Sequence, residues 1–362
     1  MRITIPVLGF GRAGGNRVIA ELASCWVDMG HEVCILSRDS SMSPYFPTRA
    51  KIIWLKPDGT QAIVNNPDSA EKRLGYRGVL SNLHSLKIGM ETYAFDSDIV
   101  LANHALTAWP VSWARILARK FFYVQAYEPE YYALARGLNN RLLQALCTGS
   151  YFLPLQRIVN APIYFKYRFL RAKHFVPPGI DFSLMYPKED SSFSPTGVII
   201  LGCIGRNEPQ KGIRYAIEAF NKLREAGYKV KLLIAYGNLP PGLELSPDSE
   251  IVTPKNDKEL GDFYRSLDIL IAPGTVQLGA PHYPVMEAMA CGIPVITTGY
   301  MPADLSNAWI VQTHDSQSIA TTVSIMLADW QTVRNKAQIA YQAIQSFSWE
   351  IVSKKMIGIF SE

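Results

Sequence analysis

The chain has 362 residues, a formal net charge of +5, 48% apolar residues and 19% charged residues. This length exceeds that of a usual single domain, so we expect two domains with substantial hydrophobic cores. So small a charge on a chain of this length argues against a nucleic-acid-binding protein, although it permits anionic small molecules or a lipid surface as partners.

The sequence also predicts a location. It opens with a strand pattern at residues 2–8, without the features of a signal peptide, and has no run of about eighteen apolar residues that would span a bilayer. The cysteines are dispersed and lie mostly in apolar runs, as buried thiols of a reducing compartment do: Cys25, Cys34, Cys147, Cys203 and Cys291. We therefore expect a cytoplasmic protein without disulfides.

The first half of the chain alternates strand-like and helix-like patterns. Residues 1–10 predict a strand, residues 16–29 an amphipathic helix that ends at Gly30, and residues 31–37 a second strand. Further short apolar strands are predicted at 51–56, 98–102 and 120–125, with segments of helix length between them. Apolar strands that alternate with helices predict a parallel sheet covered on both faces.

The same alternation starts again near residue 198. The predicted order is strand 198–204, helix 212–226, strands 229–236 and 250–253, helix 258–266, strand 268–272, helix 285–290 and strand 294–298. We predict an α/β protein of two Rossmann-like, doubly wound domains, residues 1–178 and 179–346, that face each other across a cleft. Ligands of such sheets bind beyond the carboxyl ends of the strands, so the loops there are the candidate sites.

The loop after the first strand contains Gly9, Gly11 and Gly14 in the G-x-G-x-x-G spacing of a dinucleotide site, followed by Gly15. Asp39, after the second strand, is placed to bind a ribose in such a site. An NAD(P)-dependent oxidoreductase is therefore one reading of this loop. The other is a tight turn of the kind that any doubly wound domain needs.

A second loop, residues 205–212, follows the first strand of the second array. Its Arg206 and Lys211 flank a turn that opens onto a predicted helix. Two cations and a helix N-terminus suit the diphosphate of a leaving group. A solvated basic turn is the alternative.

Two polar groups follow strands of the first array. His104 comes after the strand at 98–102, where it predicts either a substrate contact or a structural hydrogen bond. Tyr127, Glu128 and Glu130 follow the next strand, where paired acids among aromatics can orient sugar hydroxyls or supply a general base. Ordinary exposed loop acids are the alternative.

Glu287 is predicted at the start of the helix 285–290, beside a loop rich in glycine and proline. A carboxylate there can accept hydrogen bonds from both hydroxyls of a ribose. It can also simply stabilise the helix N-terminus through its charge.

Four segments, in order along the chain, resemble the GT-B glycosyltransferases, specifically the GT4-like group. They are residues 175–181, the G-R-x-x-x-x-K-G turn at 205–212, the P-x-x-E-A-M-A-x-G-x-P-V block at 284–295, and residues 347–350. The resemblance implies a nucleotide-sugar transferase of GT-B architecture. In that family the Arg and Lys of the turn hold the donor pyrophosphate, the Glu of the block binds the nucleotide ribose, and the final helix, here 347–362, crosses back onto the first domain.

One position departs from the family pattern. A second Glu is usual eight residues before Glu287 and contacts the donor sugar, but Gly279 stands there. The loop 279–284, the Asp-Leu-Ser-Asn element at 304–307 and the Tyr-Glu-Pro segment at 127–129 resemble bacterial rhamnosyltransferases of S-layer and O-antigen glycans. That likeness implies dTDP-L-rhamnose as donor. The predicted donor site comprises Gly205, Glu287, His282, Tyr283, Val285, Gly14 and Gly15, with Arg206, Lys211 and His104 as catalytic residues.

The implied reaction needs no cofactor and no metal, because no D-x-D pair follows a strand. Arg206 and Lys211 stabilise the leaving diphosphate. With retention of configuration, the leaving phosphate takes the proton of the acceptor; with inversion, His104, Glu128 or Glu130 is the candidate base.

The expected acceptor is a growing cell-surface glycan or a lipid-linked oligosaccharide. Residues 164–173 mix aromatics with four cations, which suits either a peripheral contact with the inner face of the membrane or a helix packed by aromatics. Three alternatives remain besides a transferase: an NAD(P)-dependent oxidoreductase, a catalytically silent nucleotide-sugar-binding homologue, suggested by Gly279, and a nucleotide-sugar epimerase.

Overall fold

A computed structural model describes residues 1–63, 76–133, 137–188 and 197–362. The chain divides into two compact units. The first unit combines Met1–Pro178 with Trp349–Glu362, and the second is Gly179–Ser348.

The first unit is built on a parallel sheet. Its elements in chain order are β1 (Arg2–Pro6), α1 (Gly14–Asp28), β2 (Glu32–Arg38), β3 (Lys51–Leu55), α2 (Tyr76–Tyr93), β4 (Ile99–Ala102), α3 (Ala108–Trp113), β5 (Arg119–Val124), α4 (Pro129–Ala133), α5 (Leu138–Ser150), β6 (Gln156–Val159) and β7 (His174–Phe175). The strand order is β3-β2-β1-β4-β5-β6-β7. The order reverses direction between β1 and β4, which is the switch point of a doubly wound sheet.

The second unit repeats this plan. Its elements are β8 (Ile199–Ile204), α6 (Ile213–Glu225), β9 (Val230–Ala235), β10 (Ser249–Val252), α7 (Asp257–Arg265), β11 (Ile269–Ala272), α8 (Tyr283–Ala290), β12 (Val295–Thr297), β13 (Trp309–Ile310), α9 (Ser316–Ala328) and α10 (Trp330–Ile344). The parallel strands lie in the order β10-β9-β8-β11-β12-β13, so the switch point falls between β8 and β11.

Apolar periodicity explains these elements. All four residues of β4 and of β11 are buried, as expected of strands covered by helices on both faces. Helix α1 buries Val18, Leu22 and Trp26 along one face. The two-residue strands β7 and β13 are too short to show a period, and the sequence did not predict them.

The last helix, α11 (Trp349–Ser361), packs within the first unit. The indole Nε1 of Trp26 donates a hydrogen bond to the carbonyl of Ser353 at 3.4 Å, and Arg119 donates one to the carbonyl of Phe360 at 2.6 Å. The Phe360 ring lies 5.6 Å from that of Trp26. This helix therefore packs against α1 and the amino end of β5.

Candidate functional site

The loop 205–212 leaves the carboxyl end of β8 at the switch point of the second unit. The amide of Gly205 donates to the carbonyl of Ala235 at 2.6 Å, and a Cβ at Gly205 would overlap the carbonyl oxygen of Tyr236. Gly212 has φ +72°, and a Cβ there would overlap the carbonyl oxygen of Pro273. Two glycines thus let the loop lie directly against the ends of β9 and β11.

Arg206 is exposed in this loop, and its guanidinium is held by a neighbour. Glu208 accepts two hydrogen bonds from it, at 2.6 Å from Nη2 and 3.2 Å from Nε. The hydrogen bond from Arg206 lowers the pKa of Glu208. From the sequence, we predicted that Arg206 is a cation directed at a ligand. In the structure its guanidinium forms an ion pair with Glu208, two residues further on.

Lys211 ends a short 3₁₀ turn, Pro209–Lys211. Burial lowers the pKa of its ammonium, and the nearby positive charge of Arg206 lowers it further. The turn is tied to the next strand, because the amide of Thr275, three residues after β11, donates to the carbonyl of Gln210 at 2.9 Å. Lys211 is therefore a partly desolvated cation at the ends of β8 and β11.

The loops after β11 and β12 are joined to each other. The amide of Gly279 donates to the carbonyl of Gly299 at 2.8 Å, and the amide of Met301 donates to the carbonyl of Ala280 at 3.1 Å. Gln277 has φ +50°, an uncommon backbone conformation for a residue with a side chain. The strands β8, β11 and β12 are neighbours in the sheet. The loops at their carboxyl ends are thus linked by hydrogen bonds.

His282 lies in this linked region, directly before α8. Its ring stacks on Tyr300 with centroids 4.6 Å apart. Burial, and then the charges of Lys211 and Arg206, lower its pKa to about 3, so the imidazole is neutral at physiological pH. The two cations are therefore close enough to His282 to act on it electrostatically, which brings together three residues that the sequence predicted for one site.

Helix N-termini at these strand ends differ from others in the unit. Helices α7, α9 and α10 have side-chain caps, from Asn256, Asp315 and Asp329. Within the described residues, α6 and α8 have no side-chain cap. Among those residues, no N-cap side chain occupies the first amide groups of these two helices. Uncapped helix N-termini at the ends of parallel strands can bind anions.

The prediction that Glu287 begins a helix was wrong. Helix α8 starts at Tyr283, with Pro284 in its first turn, so Glu287 lies in the second turn and is only 3% exposed. The hydroxyl of Tyr264 donates to its Oε2 at 2.8 Å. Burial, and then the charge of Glu287, raise the pKa of Tyr264 well above its usual value. The carboxylate is therefore a buried, oriented acceptor and not a surface acid that stabilises a helix start.

Two neighbours of Glu287 on α8 were also predicted as donor-binding residues. Val285 is 0% exposed in the hydrophobic core, so its side chain cannot touch a ligand. Tyr283 is half-buried at the first position of the helix and packs against the same core. The prediction for Val285 is thus corrected: it is a packing residue.

The glycine-rich loop of the first unit ends at α1, of which Gly14 and Gly15 are the first two residues. The side chain of Gln125, which follows β5, lies against it: Nε2 donates to the carbonyl of Gly15 at 3.4 Å. A Cβ at Gly15 would come within 3.3 Å of Oε1 of Gln125. Asp39 lies 3.8 Å from Nε of Arg38. Gly15 thus allows close packing of Gln125.

Amide side chains bridge the carboxyl ends of the neighbouring strands. Asn103 donates to the carbonyl of Pro6 at 2.8 Å, Gln125 to that of Asn103 at 3.3 Å, and Asn160 to that of Gln125 at 2.7 Å. These residues were not predicted from the sequence, although each directly follows a strand. They hold the ends of β1, β4, β5 and β6 in a fixed arrangement.

His104 is half-buried after β4. Its Nδ1 accepts a hydrogen bond from the amide of Leu106 at 3.0 Å. In the neutral ring this bond puts the proton on Nε2, so that atom can only donate. The hypothesis that His104 is a general base is therefore corrected: the geometry makes it a hydrogen-bond donor.

Glu128 is not an exposed loop acid, because it is 4% exposed. It accepts hydrogen bonds from the hydroxyl of Tyr151 at 2.6 Å and from the amide of Ala105 at 3.2 Å. Glu130 lies in the first turn of α4 and is half-buried. Its charge is the second cause, after burial, of a raised pKa at Tyr127. Glu128 orients the loop that carries His104, whereas Glu130 keeps the position of a candidate base.

Residues 164–173 do not form the single helix, packed by aromatics, that was considered above. They contain the end of one 3₁₀ helix, Pro162–Lys166, and a second, Arg168–Leu170. The Tyr167 ring stacks on Tyr127 at 4.9 Å, and that of Phe169 lies 5.9 Å from Phe152. Aromatic packing inside the unit explains most of the segment.

The Asp-Leu-Ser-Asn element forms a closed turn. Asp304 accepts hydrogen bonds from Ser306, and Asn307 accepts one from the amide of Asp304 at 2.8 Å. Lys336 donates to the carbonyls of Leu305 and Ala308. These contacts give the element a structural role in the loop after β12.

Among the residues that the structure describes, no three His, Cys, Asp or Glu side chains are grouped so that they could hold a metal ion. In the same part of the chain, no helix has the length and apolar character needed to cross a bilayer.

Part of the chain is similar to known proteins. Residues 198–329 match the family model described as "Glycosyl transferases group 1". A D-inositol 3-phosphate glycosyltransferase from Corynebacterium efficiens is 27% identical over 215 residues, which cover 52% of this chain and 50% of that protein. The chain spans about half the length of the curated relatives it matches. The second unit thus resembles group 1 glycosyltransferases in the segment that contains the site.

Solved structures match along the whole chain. The sucrose-phosphate synthase of Thermosynechococcus elongatus superimposes with a TM-score of 0.75 at 17% identity, covering 100% of this chain and 98% of that one. Anabaena HepE in complex with UDP-glucose gives 0.70 at 14%, covering 100% and 99%. These likenesses confirm the predicted fold class, two parallel-sheet Rossmann-like α/β domains of the GT-B type.

Proposed function

We propose that the protein is a glycosyltransferase whose second unit binds a nucleoside diphosphate sugar at the ends of β8, β11 and β12. The observation that carries this proposal is the convergence of Arg206, Lys211 and the neutral ring of His282 on loops joined by hydrogen bonds. The match of residues 198–329 to group 1 glycosyltransferases supports it.

The chemistry follows from the charges. Negative charge grows on the diphosphate as the bond to the sugar breaks, so fixed cations stabilise the transition state more than the ground state. Arg206 is bound to Glu208 and would exchange that carboxylate for phosphate oxygens. Lys211, whose pKa is lowered by burial, regains a counter-charge when a diphosphate binds. Gly205 brings the loop backbone close to the same group.

Glu287 would bind the ribose of the nucleotide. Tyr264 fixes its orientation from inside the core, and a buried carboxylate forms strong hydrogen bonds with hydroxyl donors. Tyr236, directly after β9, has φ +62°. Strained backbone of this kind is typical of binding sites.

For the first unit, we propose that His104 donates from Nε2 to a hydroxyl or carbonyl group of a substrate. Because a donor cannot take a proton, this geometry favours a retaining reaction, in which the leaving phosphate receives the acceptor's proton. Glu130 would be the base if the reaction inverts configuration. No cofactor and no metal takes part in the proposed reaction.

The donor sugar is proposed more specifically as L-rhamnose from dTDP-L-rhamnose. The proposal depends on the sequence of the loop 279–284, where Gly279 replaces the usual acid. A 6-deoxy sugar has fewer hydroxyls to bind than glucose. UDP-glucose is bound in the structure of HepE. It is therefore the reference donor against which this choice is tested.

The proposed acceptor is a growing cell-surface glycan or a lipid-linked oligosaccharide, reached from the cytoplasmic side. Phe165 is 43% exposed and close in sequence to the cations Lys166, Arg168 and Arg171. Phe152 is 68% exposed and stacks on Phe169, which lies between two of these cations. Apolar and cationic groups together suit anionic lipid. Sedimentation with anionic vesicles but not zwitterionic ones, weakened by Phe165→Ser, would support peripheral contact; equal sedimentation with both would contradict it.

The test of the proposed function is a ligand panel. dTDP-L-rhamnose, UDP-glucose, a GDP-sugar and NAD(P)H are each titrated while the unfolding temperature is followed, because a ligand that binds the native state raises it. The proposal expects a shift with a nucleotide sugar and sugar transfer when an acceptor is added. A shift with NAD(P)H alone would indicate an oxidoreductase. Binding without transfer to any acceptor would indicate a silent homologue, and conversion without an acceptor an epimerase.

A further inference from the structure

Tyr300 occupies a central place among the three joined loops. It follows β12 by three residues, in a loop for which the sequence indicated no site residue. Its hydroxyl donates to the carbonyl of Val276 at 2.7 Å, in the loop after β11. Its ring stacks on His282 at 4.6 Å with an interplanar angle of 25°. One side chain thus contacts both ends of the loop 276–282.

Gly274 shows how closely the ring is held. A Cβ at Gly274 would overlap the Tyr300 ring and its hydroxyl. Gly274 also accepts a hydrogen bond at its carbonyl from Thr298, at 2.5 Å. The Tyr300 ring therefore lies between the backbone of Gly274 and the ring of His282. Because Tyr300 is only 5% exposed, the ring has little room to move.

This position matters because the loop after β11 also contacts the loop 205–212, which contains Arg206 and Lys211. Thr275, next to Gly274, donates to the carbonyl of Gln210, and Gln210 precedes Lys211. Within the described residues, Nδ1 of His282 is buried without a hydrogen-bond partner. An unsatisfied buried nitrogen beside two cations is costly unless a ligand completes it.

We infer that Tyr300 is a positioning residue for the donor site: it holds the His282 ring beside Lys211, so that one imidazole nitrogen meets the diphosphate of the donor. The inference rests on the proposed function, since it assigns a residue to that site. The neighbouring cations attract the anionic phosphate to this position. The neutral imidazole then donates its N–H to a phosphate oxygen. Tyr300 itself does not touch the ligand.

The variants separate the two contacts of Tyr300. Tyr300→Phe keeps the stacked ring and removes the hydrogen bond to Val276. Tyr300→Leu removes the stack as well. A matched control is Tyr228→Leu, because Tyr228 is also a tyrosine of the second unit but follows the carboxyl end of α6, at the opposite end of that helix from the loop 205–212. Unfolding temperature and circular dichroism establish that each variant is folded.

The measurement is calorimetric titration with dTDP and with UDP, in wild type, in the Tyr300 variants and in the His282→Ala background. We expect Tyr300→Leu to weaken binding about tenfold, corresponding to the loss of one oriented hydrogen bond to a charged group. In the His282→Ala background the same substitution should change the affinity less than twofold, because its effect acts through His282. Tyr228→Leu should leave the affinity unchanged.

The outcomes are distinct. If wild type binds a nucleoside diphosphate and Tyr300→Leu binds equally well while folded, the inference is overturned and the proposed function stands. An equal loss in the wild-type and His282→Ala backgrounds also overturns it, because Tyr300 would then act independently of His282. If Tyr300→Leu does not fold, Tyr300→Phe in both backgrounds takes its place, with a loss of about twofold to threefold that again disappears without His282. If wild type binds neither dTDP nor UDP, it is the proposed function that fails.

Discussion

Arg206 and Glu208 form a two-point ion pair in the loop that follows β8, with contacts of 2.6 and 3.2 Å. The pair lies at the switch point of the second sheet, beside the partly desolvated Lys211. A carboxylate bound to the guanidinium in this way has the geometry in which phosphate oxygens bind arginine. Glu208 therefore competes with a diphosphate for Arg206.

Removal of that competition should strengthen binding. We expect Glu208→Gln to bind nucleoside diphosphates about twofold to fivefold more tightly, because an exposed ion pair contributes only about 1 kcal/mol or less. Calorimetry with UDP and dTDP checks this, and Glu225→Gln, at the far end of α6, is the matched control. Weaker binding in Glu208→Gln would mean that the acid orients Arg206 for the ligand instead of competing for it.

Glu287 should affect nucleoside binding and not diphosphate binding. In Glu287→Gln we expect the affinity for a nucleoside diphosphate to fall about tenfold, because a charged acceptor of ribose hydroxyls becomes neutral. The affinity for inorganic pyrophosphate should remain the same. Tyr264→Phe serves as a companion that disturbs the orientation of the carboxylate without changing its charge. An equal loss for both ligands in Glu287→Gln would remove Glu287 from the ribose site.

His282 should make the protein acid-sensitive. Its pKa of about 3 in the native state is lower than the ordinary value of 6.5, so below pH 6.5 the unfolded chain binds a proton that the native chain does not. Stability from this residue is therefore complete above pH 6.5 and decreases as the pH falls toward 3, by at most about 1.4 kcal/mol per pH unit.

Urea unfolding between pH 7 and pH 5 measures this contribution. His282→Gln should show a smaller loss of unfolding free energy over that range than wild type, whatever its stability at pH 7. His314→Gln is the control, because His314 lies elsewhere in the same unit, in contact with Tyr215. Parallel pH profiles for wild type and His282→Gln would show that the ring is not held neutral.

Gly212 should tolerate alanine worse than another glycine of similar backbone conformation. Gly212 and Gly227 have φ of +72° and +85°, but a Cβ at Gly212 would overlap the carbonyl of Pro273, whereas none lies within 4 Å at Gly227. We expect Gly227→Ala to cost about 1 kcal/mol of unfolding free energy and Gly212→Ala clearly more, about 3 kcal/mol. Urea unfolding at pH 7 gives both values. Equal costs would mean that the loop 205–212 does not press against β11.

Much of the architecture could be predicted from the sequence, because parallel strands and amphipathic helices impose different apolar periods. Strands such as β4 and β11 are wholly apolar and short, so their type and order were clear. The loops 205–212 and 279–284 were identified because they follow strands and contain charged or aromatic residues in a recognisable spacing. Their place at a strand end needs no tertiary information.

The errors came from side-chain environment. The helix 285–290 was placed after Pro284, although proline is accepted in the first turn, and this put Glu287 at a helix start that lies elsewhere. Val285 looked like part of a motif but faces the core. The proton on Nε2 of His104 depends on the amide of Leu106, and no sequence pattern encodes that contact. Tyr300 went unnoticed because its partners, His282 and Val276, belong to another loop.

The most direct test of the central claim is calorimetric binding of a nucleoside diphosphate to wild type and to the double variant Arg206→Ala/Lys211→Ala, with Lys222→Ala, an exposed cation near the other end of α6, as control. We predict that wild type and Lys222→Ala bind dTDP or UDP equally, and that the double variant binds at least about a hundredfold more weakly, since two charged contacts are lost. Unchanged affinity in a folded double variant would contradict the account.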